Sequence, residues 1–278
     1  MCSSDLFFEQ DSKHSSDQRL KKLETVIFQA ELGSYHDKAG RISELAGFIA
    51  GKLGADTALA MRAGLLAKTD LVSEMVKEFT DLQGTMGGYY ARNDGEPEQI
   101  VRAISQHYWP RFAGDSLPQD AIASSVSLAD RIDTLVGLFG IGQPPTGSRD
   151  PFGLRRAALG VIRILVENEL SLPINLVLDK ACCLYAHQAF DSEPVYEYLI
   201  DRLDPWYQEQ GISGDVVDAA LNALDQPEDL LDFHQRVKAL QAFKATDACT
   251  ALTAANKRVA NILKQLEQDI QVVDPDRF

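Results

Sequence analysis

Five histidines are scattered through the 278 residues, and one of them forms a His-Asp dipeptide, His36-Asp37. Imidazole next to carboxylate is what a divalent ion that activates water would use, provided further ligands converge on it from other helices. His14, His36, Asp37 and Asp130 form one such set. It stays open as the minor alternative, because His36-Asp37 follows the turn Leu32-Gly33-Ser34 instead of closing an apolar helix, and isolated histidines more often serve as surface residues. The second concentration of chemistry is basic: Arg149, Arg155, Arg156 and Arg163. Arg156 and Arg163 are seven positions apart, which sets them on one helix face two turns apart, while Leu154, Ala158, Val161 and Leu165 cover another. Arginines sharing a face can clamp phosphates bidentately. The plainer expectation in an acidic chain is that they pair with carboxylates.

Other common chemistries lack their residues. The glycine-rich stretch GIGQPPTG from Gly140 has no GxxxxGK[ST] lysine and no preceding strand, so it reads as a turn or interaction loop and not as a phosphate cradle. Neither a GxSxG elbow nor an HExxH helix occurs. The four cysteines, Cys2, Cys182, Cys183 and Cys249, allow no disulfide framework and no CxxC zinc site, and are expected to be reduced and packed as small apolar groups.

The elements that must position these residues are helical. Nearly every long segment carries apolar residues at i, i+3, i+4 and i+7, which predicts an all-α protein. Helices are expected over about 18–32, 37–53, 56–79, 97–107, 118–139, 151–169, 173–190, 193–209, 214–224, 227–243 and 247–270. Asp56, Asp150 and Asp247 stand at N-cap positions, Pro118, Pro151, Pro173 and Pro227 just inside new helices, and Gly33, Gly54 and Gly211 at C-caps. Residues 80–96, with Gly84, Gly87, Gly88 and Gly95, and residues 140–150 are expected to be long functional or mobile loops.

Composition, at 45% hydrophobic and 24% charged, is that of a folded globular chain and excludes disordered and fibrous classes. The net charge of −14 disfavours generic adhesion to DNA or anionic membrane, so a nucleic-acid surface would have to be a local basic patch. There is neither an apolar run of membrane-spanning length nor a signal-peptide pattern at the start, and a cytoplasmic location is expected. Charge is uneven along the chain. Residues 191–232 are strongly acidic and read as a linker, whereas 236–264 concentrate Arg236, Lys238, Lys244, Lys257, Arg258 and Lys264.

Three helical stretches carry a recognisable order. KAGRISELAGFIA from Lys38, RAGLLAKTDLVSEMV from Arg62 and VSLADRIDTLVG from Val126 resemble the first, second and last helices of the HD superfamily, whose phosphohydrolases bind metal through a His, a His-Asp pair and a distal Asp. In that register Lys38 and Thr69 occupy the histidine positions, while Asp70 and Asp130 remain. Threonine is a poor ligand and lysine brings its own positive charge, so this is expected to be a degenerate HD site without metal. A phosphohydrolase using Asp70 and Asp130 with displaced histidines is the enzyme-class rival.

A longer resemblance covers most of the chain. LADRIDTLVGLFGIGQPPTGSRDPFGLRRAALGVIRIL from Leu128, EFTDLQGTMGGYYAR from Glu78, HYWPRFAGDSLP from His107 and VIFQAELGSYHDKAGRI from Val26 resemble the β subunit of the bacterial heterotetrameric glycyl-tRNA synthetase. FHQRVKALQAFKATDACTALTAANKRVANIL from Phe233 is similar to the opening helices of that subunit's anticodon-binding (DALR-like) domain. The resemblance implies an α2β2 glycine–tRNA ligase in which the α subunit holds the class II active site with ATP and Mg, and the β subunit is a non-catalytic tRNA-binding chain that itself holds no cofactor. Neither class I (HIGH, KMSKS) nor class II motifs are found in the present sequence.

The division this suggests is an irregular lead-in over 1–17, with 1–6 fitting the family poorly and read as non-native, followed by an HD-like helical domain over 18–190. An acidic helical linker over 191–232 and a truncated anticodon-binding domain over 233–278 come next. Because family members are much longer, the chain is expected to be a fragment whose last part is the least stable. Arg149, Arg155, Arg156 and Arg163 are the expected tRNA backbone contacts, and Lys257 and Arg258 the expected anticodon-stem contacts. The interaction-class rival is a scaffold for the α subunit alone.

Overall fold

The computed structural model describes residues 3–147, 149–185, 188–224 and 226–265. Its elements are α1 (Ser3–Asp11), α2 (Ser16–Lys22), a small hairpin of β1 (Ile27–Gln29) and β2 (Gly33–Ser34), α3 (Tyr35–Lys52), α4 (Thr57–Leu66), α5 (Glu74–Glu78), α6 (Thr85–Asn93), α7 (Glu98–Gln106) and α8 (Ala121–Gly140). They continue with α9 (Leu154–Glu167), α10 (Ile174–Cys183), α11 (Glu193–Ile200), α12 (Leu203–Glu209), α13 (Gly214–Asn222), α14 (Leu230–Lys244) and α15 (Asp247–Gln265). The protein is all-α, as its periodicity predicts, with the two-stranded hairpin as the exception among the described residues.

Helix α8 is the axis. Its residues are buried on nearly every side, the charged Asp130, Arg131 and Asp133 included, because α3, α4, α7, α9, α10 and α11 pack around it. One continuous core of buried side chains runs from Leu32 to Val237, so Val195, Leu199, Leu203, Tyr207, Ile212 and Val217 of the acidic stretch 191–232 are packed inside while their carboxylate neighbours face out. Close approach is permitted by small residues. A Cβ on Gly64 of α4 would lie 2.9 Å from the Ser43 Cα of α3.

Several expected boundaries move for identifiable reasons. The expected helix 18–32 stops at Lys22, because Val26, Ile27 and Phe28 favour extended backbone and Gly33 takes a φ of +89° that closes the hairpin. Helix α6 falls inside the expected loop 80–96. Its Gly87 and Gly88 serve packing against α7, since a Cβ on Gly87 would meet Ile104 at 2.9 Å and one on Gly88 would overlap Ser105. The expected helices 56–79 and 193–209 are each broken in two.

The lead-in carries helix α1, whose terminal Asp11 accepts hydrogen bonds from the Glu74 and Met75 amides (2.9 and 3.0 Å) and the Tyr90 hydroxyl (2.8 Å), tying it to α5 and α6. Asp56 caps α4 and Gly54 follows α3 with positive φ, as expected. Asp150 does accept from free helix-start amides, those of Leu154 and Arg155 (2.8 and 3.0 Å), but α9 begins three residues later than Pro151, after a left-handed Gly153. At α15 the amide of Cys249 is capped by Thr246 and not by Asp247. The expected extension of that helix to 270 lies beyond residue 265, outside the described residues.

Candidate functional site

At the heart of the bundle, two helices and two helix ends deliver titratable groups to one place. Lys38 of α3 reaches Asp133 (2.9 Å), the Thr134 hydroxyl (2.8 Å) and Asp130 Oδ1 (3.2 Å), all on α8, and its ammonium also lies over the Phe28 ring. Lys68, in the turn after α4, donates to Asp130 Oδ2 at 2.6 Å and lies 4.0 Å from the Tyr108 ring centre. Arg41 bonds Asp133 at 2.6 Å and stacks on Tyr185, whose hydroxyl also donates to Asp133. His107, at the end of α7, completes the set. Its Nδ1 lies 2.6 Å from the Ile104 carbonyl, so Nδ1 carries the proton and Nε2 is left to accept from Lys68 at 3.1 Å.

These groups are almost wholly buried, which sets their titration. Burial pushes Lys68 down to about 8 against the pull of Asp130, with the neighbouring Lys38 charge acting in the same direction as burial. Burial and the Lys68 charge push His107 down to about 3, so it is neutral at pH 7. Burial opposes the charge on Asp130, but Lys68 and Lys38 outweigh it and hold this carboxyl well below its ordinary range. For Lys38, Asp133 and Asp130 together outweigh burial and raise it.

The chemistry open to this centre follows from those pairings. Asp130 already faces two ammonium groups, and its neighbouring imidazole has one nitrogen on a carbonyl and the other on an ammonium. Among the described residues no group of three or more His, Cys, Asp or Glu side chains is arranged to hold a metal ion. Lys38 and Asp130 of the expected degenerate HD site do come together, whereas Thr69 and Asp70 turn away. Thr69 donates to the last carbonyl of α4, that of Leu66, and Asp70 accepts from the Gly84 and Gly87 amides (2.7 and 3.1 Å), fixing the start of α6. Lys68, one residue earlier, takes the place expected of Thr69. Of the alternative set, Asp37 forms a capping box with Ser34 at the start of α3, His36 is half-buried and His14 is exposed.

Beside this centre lies a cleft of about 450 Å³, lined by Asp130, Arg131 and Thr134 of α8, Tyr108, Pro110 and Arg111 of the α7–α8 connection, Thr80, Asp81 and Gln83, and Phe152, Gly153, Arg156 and Ala157 around the start of α9. A second cleft of about 160 Å³ adjoins it through the shared Pro110, Arg111 and Arg156, and adds Phe112, Arg163, Trp206 and Glu209. The connection between α7 and α8 is held from beneath by two arginines. Buried Arg131 donates to the carbonyls of His107 (3.0 Å), Tyr108 (2.9 Å) and Pro110 (2.9 Å), and Arg163 donates to those of Phe112 (3.2 Å) and Asp115 (3.0 Å). Ser127 adds a bond to the Trp109 carbonyl at 2.7 Å.

The basic residues expected to act together are thus divided. Arg163 pairs with Glu167 at 2.6 Å and clamps the connection, the carboxylate pairing that an acidic chain favours. Arg155 donates to the Gly147 carbonyl. Arg149 and Arg156 are exposed, and only Arg156 lines both clefts. Lys257 and Arg258 are exposed on α15, whose described side chains are nearly all exposed. Sequence reasoning misses Lys68, His107, Asp133, Arg41, Arg131 and Arg111. Two of these carry a signal: Arg131 and Asp133 sit in a mainly apolar stretch of helix, where a charge must be paired.

The chain is thus an all-α bundle whose central ion cluster is filled by lysines, with an arginine-lined cleft beside it. Residues 4–222 match the family described as glycyl-tRNA synthetase beta subunit. The chain is 53% identical over 260 residues to the glycine–tRNA ligase beta subunit of Pseudoalteromonas translucida, covering 92% of this chain and 37% of that protein. It is 49% identical over 273 residues to the protein of the same name from Shewanella oneidensis (97% and 39%), and 49% identical over 271 residues to that of Actinobacillus pleuropneumoniae (96% and 39%). The chain belongs to the glycyl-tRNA synthetase beta subunit family. It spans about two fifths of the length of these curated relatives.

Proposed function

We propose that this chain is the tRNA-positioning part of the β subunit of a cytoplasmic glycine–tRNA ligase, and that it carries no active site of its own. Glycine activation, with ATP and Mg, then belongs to the α subunit of an α2β2 assembly. Family membership supports the ligase, and no helix among the described residues is long and apolar enough to cross a membrane. The observation that carries the binding role is the clamped connection that presents Arg111 beside Arg156 on a chain of net charge −14, where exposed cations with no ion pair to a carboxylate among the described residues have an anionic ligand as their natural use. The phosphohydrolase reading lacks support, since the carboxylate it needs is held by Lys38 and Lys68.

Within this proposal the HD-like domain spans 18–190, the linker 191–232 and the anticodon-binding domain 233–278. Arg149, Arg155 and Arg156 are backbone contacts, Arg163 positions the connection, and Lys257 and Arg258 reach the anticodon stem. Fluorescence-anisotropy titration with glycine tRNA and an unrelated tRNA at two salt concentrations tests it. Salt-sensitive binding that favours glycine tRNA is expected, and Arg156→Gln should lower the salt slope by about one counterion. A folded sample that binds neither tRNA contradicts the proposal.

A further inference from the structure

The rim of the paired clefts has an order that a duplex backbone does not require. Phe152, 41% exposed, lines the larger cleft, and Phe112, 64% exposed, lines the smaller one next to Trp206. Between them stand Arg111 and Arg156, which line both. Large aromatic rings left in water cost hydrophobic free energy, and here they flank cations. The carboxylates that line the clefts are Asp81 and Asp130 in the larger, the latter held by Lys38 and Lys68, and Glu209 in the smaller; none of them lines both.

The sequence aromatic–cation–aromatic matches base–phosphate–base along a single strand, where unpaired bases are free to stack on side chains and the intervening phosphate meets guanidinium groups. In a duplex the bases are stacked on one another and present no face. The platform is also built in advance. Arg131, Ser127 and Arg163 hold the carbonyls of His107, Tyr108, Trp109, Pro110, Phe112 and Asp115, so Arg111 and Phe112 project from backbone that is already fixed.

We infer that this rim is a subsite for an unpaired RNA segment, with Phe112 and Phe152 as stacking surfaces and Arg111 and Arg156 as the phosphate clamp. The inference rests on the tRNA-binding reading above and specifies the part of the ligand that this surface takes.

The test uses the whole chain and two probes, a short mixed-sequence single-stranded RNA and the blunt duplex it forms with its complement, followed by anisotropy. The single strand should bind about tenfold more tightly than the duplex. Phe112→Ala combined with Phe152→Ala should remove that preference, with a loss of about tenfold for the single strand and an unchanged salt slope. Arg111→Gln combined with Arg156→Gln should instead flatten the salt dependence. All four side chains are exposed, and an unchanged melting midpoint establishes that each variant is folded. Equal affinity for strand and duplex, or a phenylalanine variant that binds like the parent, overturns the inference while tRNA binding still upholds the broader reading. Absence of binding to every RNA by the parent chain overturns both. Variants that weaken capture of the α subunit and leave RNA binding unchanged overturn the inference in favour of a protein interface.

Discussion

The central cluster and the cleft rim are built from the same residue types and use them in opposite ways. At the centre Lys38, Lys68 and Arg41 each lie within 3.2 Å of a carboxylate, with most of their surface buried, and their charges are satisfied within the fold. At the rim Arg111 and Arg156 are exposed, and their charges remain available. A cation's type therefore says little about its use. Burial and the partner it meets decide whether it organises the protein or a ligand.

The contrast can be broken most severely at Asp130. Asp130→Ala would leave the buried Lys68 without its carboxylate and next to the Lys38 charge, which keeps Asp133, and removing one partner of a buried ion pair costs about 3–5 kcal/mol. Chemical denaturation should show a loss of that order, whereas Arg156→Ala at the rim should change stability by no more than about 0.5 kcal/mol. Equal effects at the two positions would erase the distinction.

Acid should find the centre next. His107 takes its proton near pH 6.5 in the unfolded chain and near 3 in the fold, so between those values the unfolded chain holds the extra proton and stability falls as pH falls, by a few kcal/mol in all. His107→Gln should flatten this slope in denaturation curves recorded at successive pH values. Lys68 acts in the alkaline range. Its proton leaves the fold near 8 but the unfolded chain only near 10.5, so stability gains as pH rises between them. Rim variants should leave both slopes unchanged.

A smaller effect links the two regions. A Cβ at Gly160 of α9 would overlap the Arg131 guanidinium that holds the α7–α8 connection. Gly160→Ala should lower stability by about 1–3 kcal/mol. It should also weaken RNA binding without altering the salt slope, because the clamp is loosened and no phosphate contact is removed. Unchanged RNA affinity would show that the connection need not be rigid.

How much of this was legible depends on the kind of signal. The all-α class followed from periodicity, and the meeting of Lys38 with Asp130 followed from the order of three helical stretches. The sequence order points to Thr69 and Asp70 at this place, and only the end of α4 in space shows that Lys68 is the side chain that meets Asp130. Helix α6 was hidden by glycines that read as loop residues but serve a close helix contact, a distinction that exists only once α7 is in place. The arginines of α9 were seen as a group, yet their division rests on neighbours distant in sequence: Arg163 meets the carbonyls of Phe112 and Asp115. Arg111 and Phe112 lie in the connection 107–120, which has no periodic pattern; its stretch HYWPRFAGDSLP carries the family resemblance but gives no sign of which side chains face a cleft.

The most direct test is one paired measurement on Arg111→Glu combined with Arg156→Glu: the denaturation midpoint, and the affinity for glycine tRNA at two salt concentrations. An unchanged midpoint with binding weakened at least about tenfold and a flattened salt dependence is the predicted result. Undiminished binding, or a midpoint that falls together with affinity, would contradict the claim that the rim serves a ligand while the buried centre serves the fold.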